Sequence, residues 1–285
     1  MGKTLHFMQR HIKKGIVSFL AVAMILSAAP SAFAANSITS GFAGINNYQN
    51  CGVDKDRAGV NYCNNFHAGL TNIRLSLNGI TYSRSYNWSN NEVTTTKIAN
   101  ASQVTFFVYS GHGVVVDTTA NNALHVNQPS AGSTLSHAAL GEKSSYLINL
   151  KTTGTSFPHK YVVLYTCNQL ANSGSTTKET NIFKMLKGTR MLFGFASTMY
   201  LDSREATLFT QKMMGNTLKN AFLLAAQKYQ PQRSDGDVVA RIMGYTSAGT
   251  DVITNTYAYA PTYSTSPSAF GYLLSVTIPH TGVII

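Results

Sequence analysis

The chain has 285 residues, 22 Lys and Arg against 11 Asp and Glu for a formal charge of +11, and only three cysteines. So few cysteines exclude a small disulfide-stapled scaffold, and after the N-terminal region no segment has the ~20 apolar residues a membrane-spanning helix needs. The basic balance favours anionic contacts such as cell-envelope polymers, whereas the lack of a basic run interleaved with aromatics argues against nucleic acid as a partner.

Residues 1–34 read as a targeting segment: Lys3, Arg10, Lys13 and Lys14 form a basic start, Gly15 to Ala29 an apolar middle, and Ala32-Phe33-Ala34 a small-residue cleavage site. The expected mature chain begins at Ala35 and is secreted, into the medium or the cell envelope. Losing four basic and no acidic side chains would take the charge from +11 to +7. Residues 35–285 suit one α/β domain, with a core over about 41–245 and a C-terminal strand extension over 246–285.

Gly41 to Tyr48 reads as a first strand, followed by a polar segment holding Cys51, Asp54 and Asp56. Tyr62, Phe66 and Leu70 recur every four residues and predict a helix over 58–70 packed by one stripe. Ile80 to Tyr86 predicts a second strand. Ser89-Asn90-Asn91-Glu92 matches a capping box, predicting a short helix to Ala101 with Trp88 packed against it. Val104 to Tyr109 is a continuous β-branched and aromatic run, the pattern of a strand buried on both faces. Strand, helix, strand, helix, strand predicts parallel pairing.

Residues 114–157 are polar, with short strands expected at Asn121 to Val126 and Tyr146 to Leu150, and a lid or substrate-binding loop is expected here. Tyr161 to Thr166 and Arg190 to Ala196 repeat the buried-strand pattern, with a helix near Thr177 to Leu186 between them. Ser203 to Tyr229 predicts a helical stretch broken near Gly215, and strands are expected at Val238 to Tyr245 and Gly271 to Ile278.

Two of the apolar runs end in a reactive side chain. One passes into Ser110-Gly111-His112-Gly113 and the other into Cys167. In parallel sheets chemistry gathers at the carboxyl ends of strands, so adjacent strands would bring His112 and Cys167 together as a base and a nucleophile. The amides of Gly113 and Cys167 are then candidate oxyanion donors. Asp117 is the acid nearest His112 in sequence, and with Asp54 and Asp202 it is a candidate pocket residue. Asp54, Asp56, Asp202 and Glu205 otherwise read as solvated or helix-capping.

Three cysteines cannot all pair within one chain, and Cys51 with Cys63 is the candidate disulfide that leaves Cys167 over. The plain alternative for Cys167 is a small buried hydrophobe. His125 and His137 lack the tight spacing of a metal motif, so neither metal nor cofactor is expected.

The motifs Tyr109-Ser110-Gly111-His112-Gly113, Leu164-Tyr165-Thr166-Cys167-Asn168 and Gly188-Thr189-Arg190-Met191-Leu192-Phe193-Gly194-Phe195 resemble the caspase, gingipain and clostripain group of cysteine peptidases. Asp202 to Ala226 also resembles the helix pair that follows in caspase-like bacterial domains. The resemblance, over residues 41–245, implies a three-layer caspase-like sandwich: a mostly parallel central sheet with helices on both faces. It implies an endopeptidase acting on a peptide or protein substrate, with His112 as general acid/base and Cys167 as nucleophile. The acidic residue of lysine- or arginine-specific members and the basic pocket of aspartate-specific ones have no match here. Two other readings share the scaffold: a non-catalytic secreted or envelope interaction protein, and another acyl-transfer enzyme such as a transpeptidase or amidase.

Overall fold

A seven-stranded mixed sheet organises the protein. The computed structural model describes residues 36–48, 58–77, 79–115, 122–126, 137–140, 159–171, 189–230, 236–255 and 270–279. In chain order the elements are β1 (Asn36–Gly44), α1 (Gly59–Ser76), β2 (Ile80–Ser89), α2 (Thr95–Ala99), β3 (Phe106–Ser110), β4 (Gly113–Val115), β5 (Asn122–His125) and β6 (His137–Leu140). They continue with β7 (Tyr161–Tyr165), β8 (Met191–Phe195), α3 (Arg204–Met213), α4 (Leu218–Tyr229), β9 (Val238–Tyr245) and β10 (Phe270–Ile278). The main sheet runs β10-β9-β8-β7-β3-β1-β2, and β4-β5-β6 form a second sheet.

Pairing is parallel for β1 with β3, β3 with β7 and β7 with β8, and antiparallel for β8 with β9 and β9 with β10. The C-terminal strand extension is therefore one edge of the main sheet. Strands β3, β7 and β8 are buried along their whole length, as their unbroken apolar runs require.

Alternate residues of these strands feed two apolar layers. Phe106, Val108, Tyr161, Val163 and Phe193 face Tyr62, Phe66, Leu70 and Ile73 of α1 together with Phe209 of α3 and Phe222 of α4. Phe193, Phe209 and Phe222 meet pairwise at ring-centroid distances of 5.5 Å. Each such ring contributes about 3 kcal/mol on burial, and Phe209→Ala would cost about 3–5 kcal/mol. On the other face, Phe107, Tyr109, Val162, Leu164 and Leu192 pack with Ile98 of α2, Leu124 of β5 and Leu170. Among the described residues, the three longer helices share one face, and the second is covered by a short helix, a strand and loops.

Several boundaries differ from the sequence reading for physical reasons. β1 begins at Asn36 and stops at Gly44, because its partner β3 stops at Ser110; residues 45–48 become a loop at the sheet rim. α1 runs on to Ser76, adding Ile73 to the apolar stripe. The capping box at Ser89 and Glu92 forms, but it starts only a 3-10 turn, Asn90–Glu92. Val93 is extended and fully buried, and the chain restarts as α2 with Thr94 as its cap. Trp88 stacks on Tyr86 at 4.3 Å between centroids, with Lys97 of α2 above it. In the polar excursion β5 matches expectation, while β4 and β6 add two strands that had no clear apolar run. The expected strand at Tyr146 to Leu150 and helix at Thr177 to Leu186 lie outside the described residues, as does the leader.

At the start of β7 and β8, Arg190 forms a two-pronged pair with Asp251: Nε donates to Oδ2 at 2.6 Å and Nη2 to Oδ1 at 2.7 Å. Tyr161 Oη donates to the same Asp251 Oδ2 at 2.7 Å. Asp251 O also accepts from Leu218 N at 2.8 Å, so the start of α4 is tied to this end of the sheet.

Candidate functional site

The opposite end of the sheet, where the parallel strands finish, carries the candidate chemistry. Ser110 of β3 and Tyr165 of β7 are Cα partners. His112 and Cys167 each follow two residues on, so both leave the sheet at the same rim. Gly111 N donates to Tyr165 O at 3.3 Å, continuing the ladder into the turn. A side chain at Gly113 would collide with Cys167 O, Thr166 Oγ1 and Gln169 Nε2, so the His112-Gly113 backbone lies directly against the Cys167 turn. The expected adjacency of the two segments is thus a property of the fold.

His112 is half-buried and its backbone is held from two sides. Its N–H donates to Tyr48 Oη at 2.6 Å, and its carbonyl accepts from Tyr109 Oη at 3.3 Å. The Tyr48 ring lies 5.2 Å from the imidazole, centroid to centroid. Gly111 is needed because any Cβ there would strike the Tyr48 and Tyr109 hydroxyls. Tyr48 reaches the site from the loop after β1, whose Ile45 N donates to Ser110 O at 3.0 Å.

Cys167 is half-buried and opens a turn over residues 167–170. Asn168 takes the left-handed conformation, φ 60°, which asparagine tolerates better than most side chains. Asn168 N donates to Ser197 O at 2.9 Å and Leu170 N to Phe195 O at 3.0 Å, which fasten the turn to the end of β8. Met199 N donates to Cys167 Sγ at 3.4 Å, and Sγ in turn donates to Met199 O at 3.9 Å. Gln169 Nε2 donates to Cys167 O at 3.3 Å. Cys167 Sγ thus exchanges hydrogen bonds with both backbone groups of Met199, receiving the N–H and facing the carbonyl, so the conformation of this one loop residue bears directly on the sulfur.

Behind this turn lies a polar cluster enclosed by α1, β7, α3 and α4. Glu205 is fully buried, and its carboxyl is pushed up to about 8, chiefly by burial, with the Gln230 hydrogen bond pulling it down and the Asp202 charge pushing it up. Gln230 Nε2 donates to Glu205 Oε2, while Glu205 Oε1 and Tyr165 Oη are buried without a hydrogen-bond partner. Burial, then the neighbouring Glu205 carboxyl, raises the Tyr62 and Tyr165 phenols well above their ordinary value. The sequence reading of Glu205 as a solvated or capping acid is corrected by this burial. Its position at the start of α3 signals a cap, and the enclosing groups come from distant segments.

Asp202 is buried at the same helix start. Its Oδ1 accepts from Arg204 N at 3.0 Å and its carboxylate pairs with the Arg204 guanidinium, one residue ahead of the Ser203 N-cap, so it is engaged locally at the helix start. Asp54, Asp117 and Cys51 lie outside the described residues. Cys63 is buried on α1, with Sγ 3.9 Å from Val108 O. His125 and His137 are Cα partners on β5 and β6. Among the described residues, no group of three or more His, Cys, Asp and Glu is placed to hold a metal ion, and no helix is long and apolar enough to cross a membrane. Tyr48, Met199, Gln169 and Gln230 were not foreseen as site residues; only Tyr48, an aromatic closing a strand-like run, carried any local signal.

No curated protein matches the chain. A family model covering residues 42–275, from within β1 to within β10, does match, and the chain belongs to that family, described as Domain of unknown function (DUF6345).

Proposed function

We propose that this chain is a secreted cysteine endopeptidase of caspase-like architecture, with Cys167 as nucleophile and His112 as general acid/base. The observation that carries the reading is the register of β3 on β7, which sets the two residues at one sheet rim with Gly113 packed on the Cys167 turn. The hydrogen bond from Met199 N to Cys167 Sγ supports it further.

In this reading His112 takes the thiol proton and Cys167 Sγ attacks the scissile carbonyl carbon. The carbonyl π electrons move onto oxygen, and the amides of Gly113 and Cys167 are the candidate donors to that oxyanion. Collapse breaks the C–N bond, the amine leaves with the proton from His112, and a thioester remains. Water, deprotonated by His112, then releases the acid and regenerates the thiol. The mixed, mostly parallel sheet and the helical layer are compatible with a three-layer caspase-like sandwich. The basic balance fits a protein working near anionic envelope polymers.

The test is cleavage of a peptide library by the purified mature protein and by Cys167→Ala. Cleavage at defined bonds by the first and none by the second supports the peptidase, and identical silence from both removes it. A second reading, a non-catalytic interaction protein on the same scaffold, draws on the packing of Cys167 against the apolar core. Iodoacetamide separates the two: rapid Cys167 labelling slowed by His112→Ala marks the enzyme, and labelling only after unfolding marks the binding module.

A further inference from the structure

Resting on the reading of Cys167 as a nucleophile, we infer that Gln230 is a positioning residue that sets the reactivity of that thiol through the backbone of Met199. Gln230 is fully buried at the C-terminal end of α4, remote in sequence from both His112 and Cys167. Its amide grips one residue of the loop after β8 by both backbone groups: Tyr200 N donates to Oε1 at 2.8 Å, and Nε2 donates to Tyr200 O at 3.1 Å. The donor at Tyr200 N requires an oxygen and the acceptor at Tyr200 O requires an N–H, so only one orientation of the amide satisfies both. The second N–H of Nε2 goes to Glu205 Oε2, which locks that orientation from below.

The residue gripped is adjacent to Met199, whose N–H is the backbone donor to Cys167 Sγ at 3.4 Å. A loop free to rotate would lose this donor. Held in place, the N–H at 3.4 Å favours the charged sulfur, while the long bond that Sγ donates to Met199 O, at 3.9 Å, favours the neutral thiol; the shorter N–H contact outweighs it. Tyr62 holds the next stretch of the loop, accepting from Asp202 N at 2.7 Å and donating to Tyr200 O at 3.4 Å. The clamp is thus built from α4, α3 and α1 around a segment that has no helix or strand hydrogen bonds of its own to fix it. The amide of Gln230 is engaged with Tyr200 and Glu205, so its action on the sulfur passes through the loop.

The experiment is the pH profile of Cys167 alkylation by iodoacetamide, with the modified residue located by mass spectrometry, in the mature protein and in Gln230→Met, a variant of similar volume. Loss of one N–H donor to a thiolate corresponds to about one pKa unit, so the labelling midpoint should rise by about one pH unit and the rate at neutral pH should fall roughly tenfold. Met199→Pro removes the donor itself without touching Gln230 and should give the same shift; it decides the matter if Gln230→Met fails to fold. Running each variant in a Glu205→Gln background keeps that carboxyl from adding its own titration, leaving His112, Asp202, Tyr62 and Tyr165 as the titratable neighbours that the clamp variants share. Unchanged midpoints in both variants overturn the inference. His112→Ala separates it from the dyad: a profile moved by His112→Ala but not by the clamp variants defeats only the clamp, and the reverse defeats only the dyad.

Discussion

Arg190 and Asp251, 61 residues apart, meet as a two-pronged ion pair with side chains 4% and 0% exposed, at the end of the sheet opposite His112 and Cys167. Removing one partner of a buried pair leaves the other charge without compensation, which costs about 3–5 kcal/mol. Asp251→Ala also takes the acceptor from Tyr161 Oη. The expected result is a large fall in the denaturation midpoint, measured by urea titration. Arg190 then carries architecture rather than chemistry, and a neutral Asp251→Ala variant would contradict that.

Gly113 leaves no room for a side chain between the two halves of the candidate site, since a Cβ there would meet Cys167 O, Thr166 Oγ1 and Gln169 Nε2. Two of those atoms are fixed, one in backbone and one in a buried threonine, so the methyl cannot be absorbed by a flexible side chain. Gly113→Ala should cost about 1–3 kcal/mol by overpacking and sharply slow Cys167 alkylation. Gly215→Ala, with nothing within 4 Å, is the control expected to change neither. Equal behaviour of the two variants would show that His112-Gly113 does not press on the Cys167 turn.

The strands that end at His112 and Cys167 were legible because their apolar runs are unbroken and bounded by glycine or polar residues. Their adjacency was only a condition of the sequence reading, because nothing local to either strand names its partner; the parallel pairing of β3 with β7 meets it. Tyr48 was misread as the end of a strand, since Ile45 and Tyr48 continue the apolar spacing, whereas ladder pairing ends where β3 ends. The Gln230 clamp had no local signal: Gln230 follows an amphipathic helix and reads as its polar exit. Glu205 reads as a helix-start acid. Their burial depends on Tyr62, Tyr165 and Tyr200, brought together only by the tertiary fold.

Tyr48 bears on the imidazole through the backbone of His112, accepting its N–H at 2.6 Å. Tyr48→Phe removes that acceptor while keeping the ring 5.2 Å from the imidazole. Stability should fall by about 1 kcal/mol, and the His112-dependent part of Cys167 labelling should slow. Comparing labelling rates of Tyr48→Phe with and without His112→Ala checks this. An undiminished difference between them would mean that the hydroxyl does not position the turn.

Glu205 gives stability a pH dependence of definite sign. Its carboxyl is pushed up to about 8 in the folded protein from an ordinary 4.5. Between those values the folded chain holds a proton that the unfolded chain has released, so stability falls as pH rises through the window. The contribution is fully present below about 4.5 and is lost by the time pH has passed about 8. Glu205→Gln keeps an oxygen to accept from Gln230 Nε2 but cannot ionise. The stability of the variant relative to the natural protein should therefore increase from pH 4.5 to pH 8, by a few kcal/mol, and stay level above. Denaturation midpoints at a series of pH values measure the difference directly, and other titrating groups cancel because both proteins contain them. Parallel curves across the window would mean that Glu205 is ionised in the folded state, and the Gln230 amide would then be anchored by a charge rather than by a neutral acid.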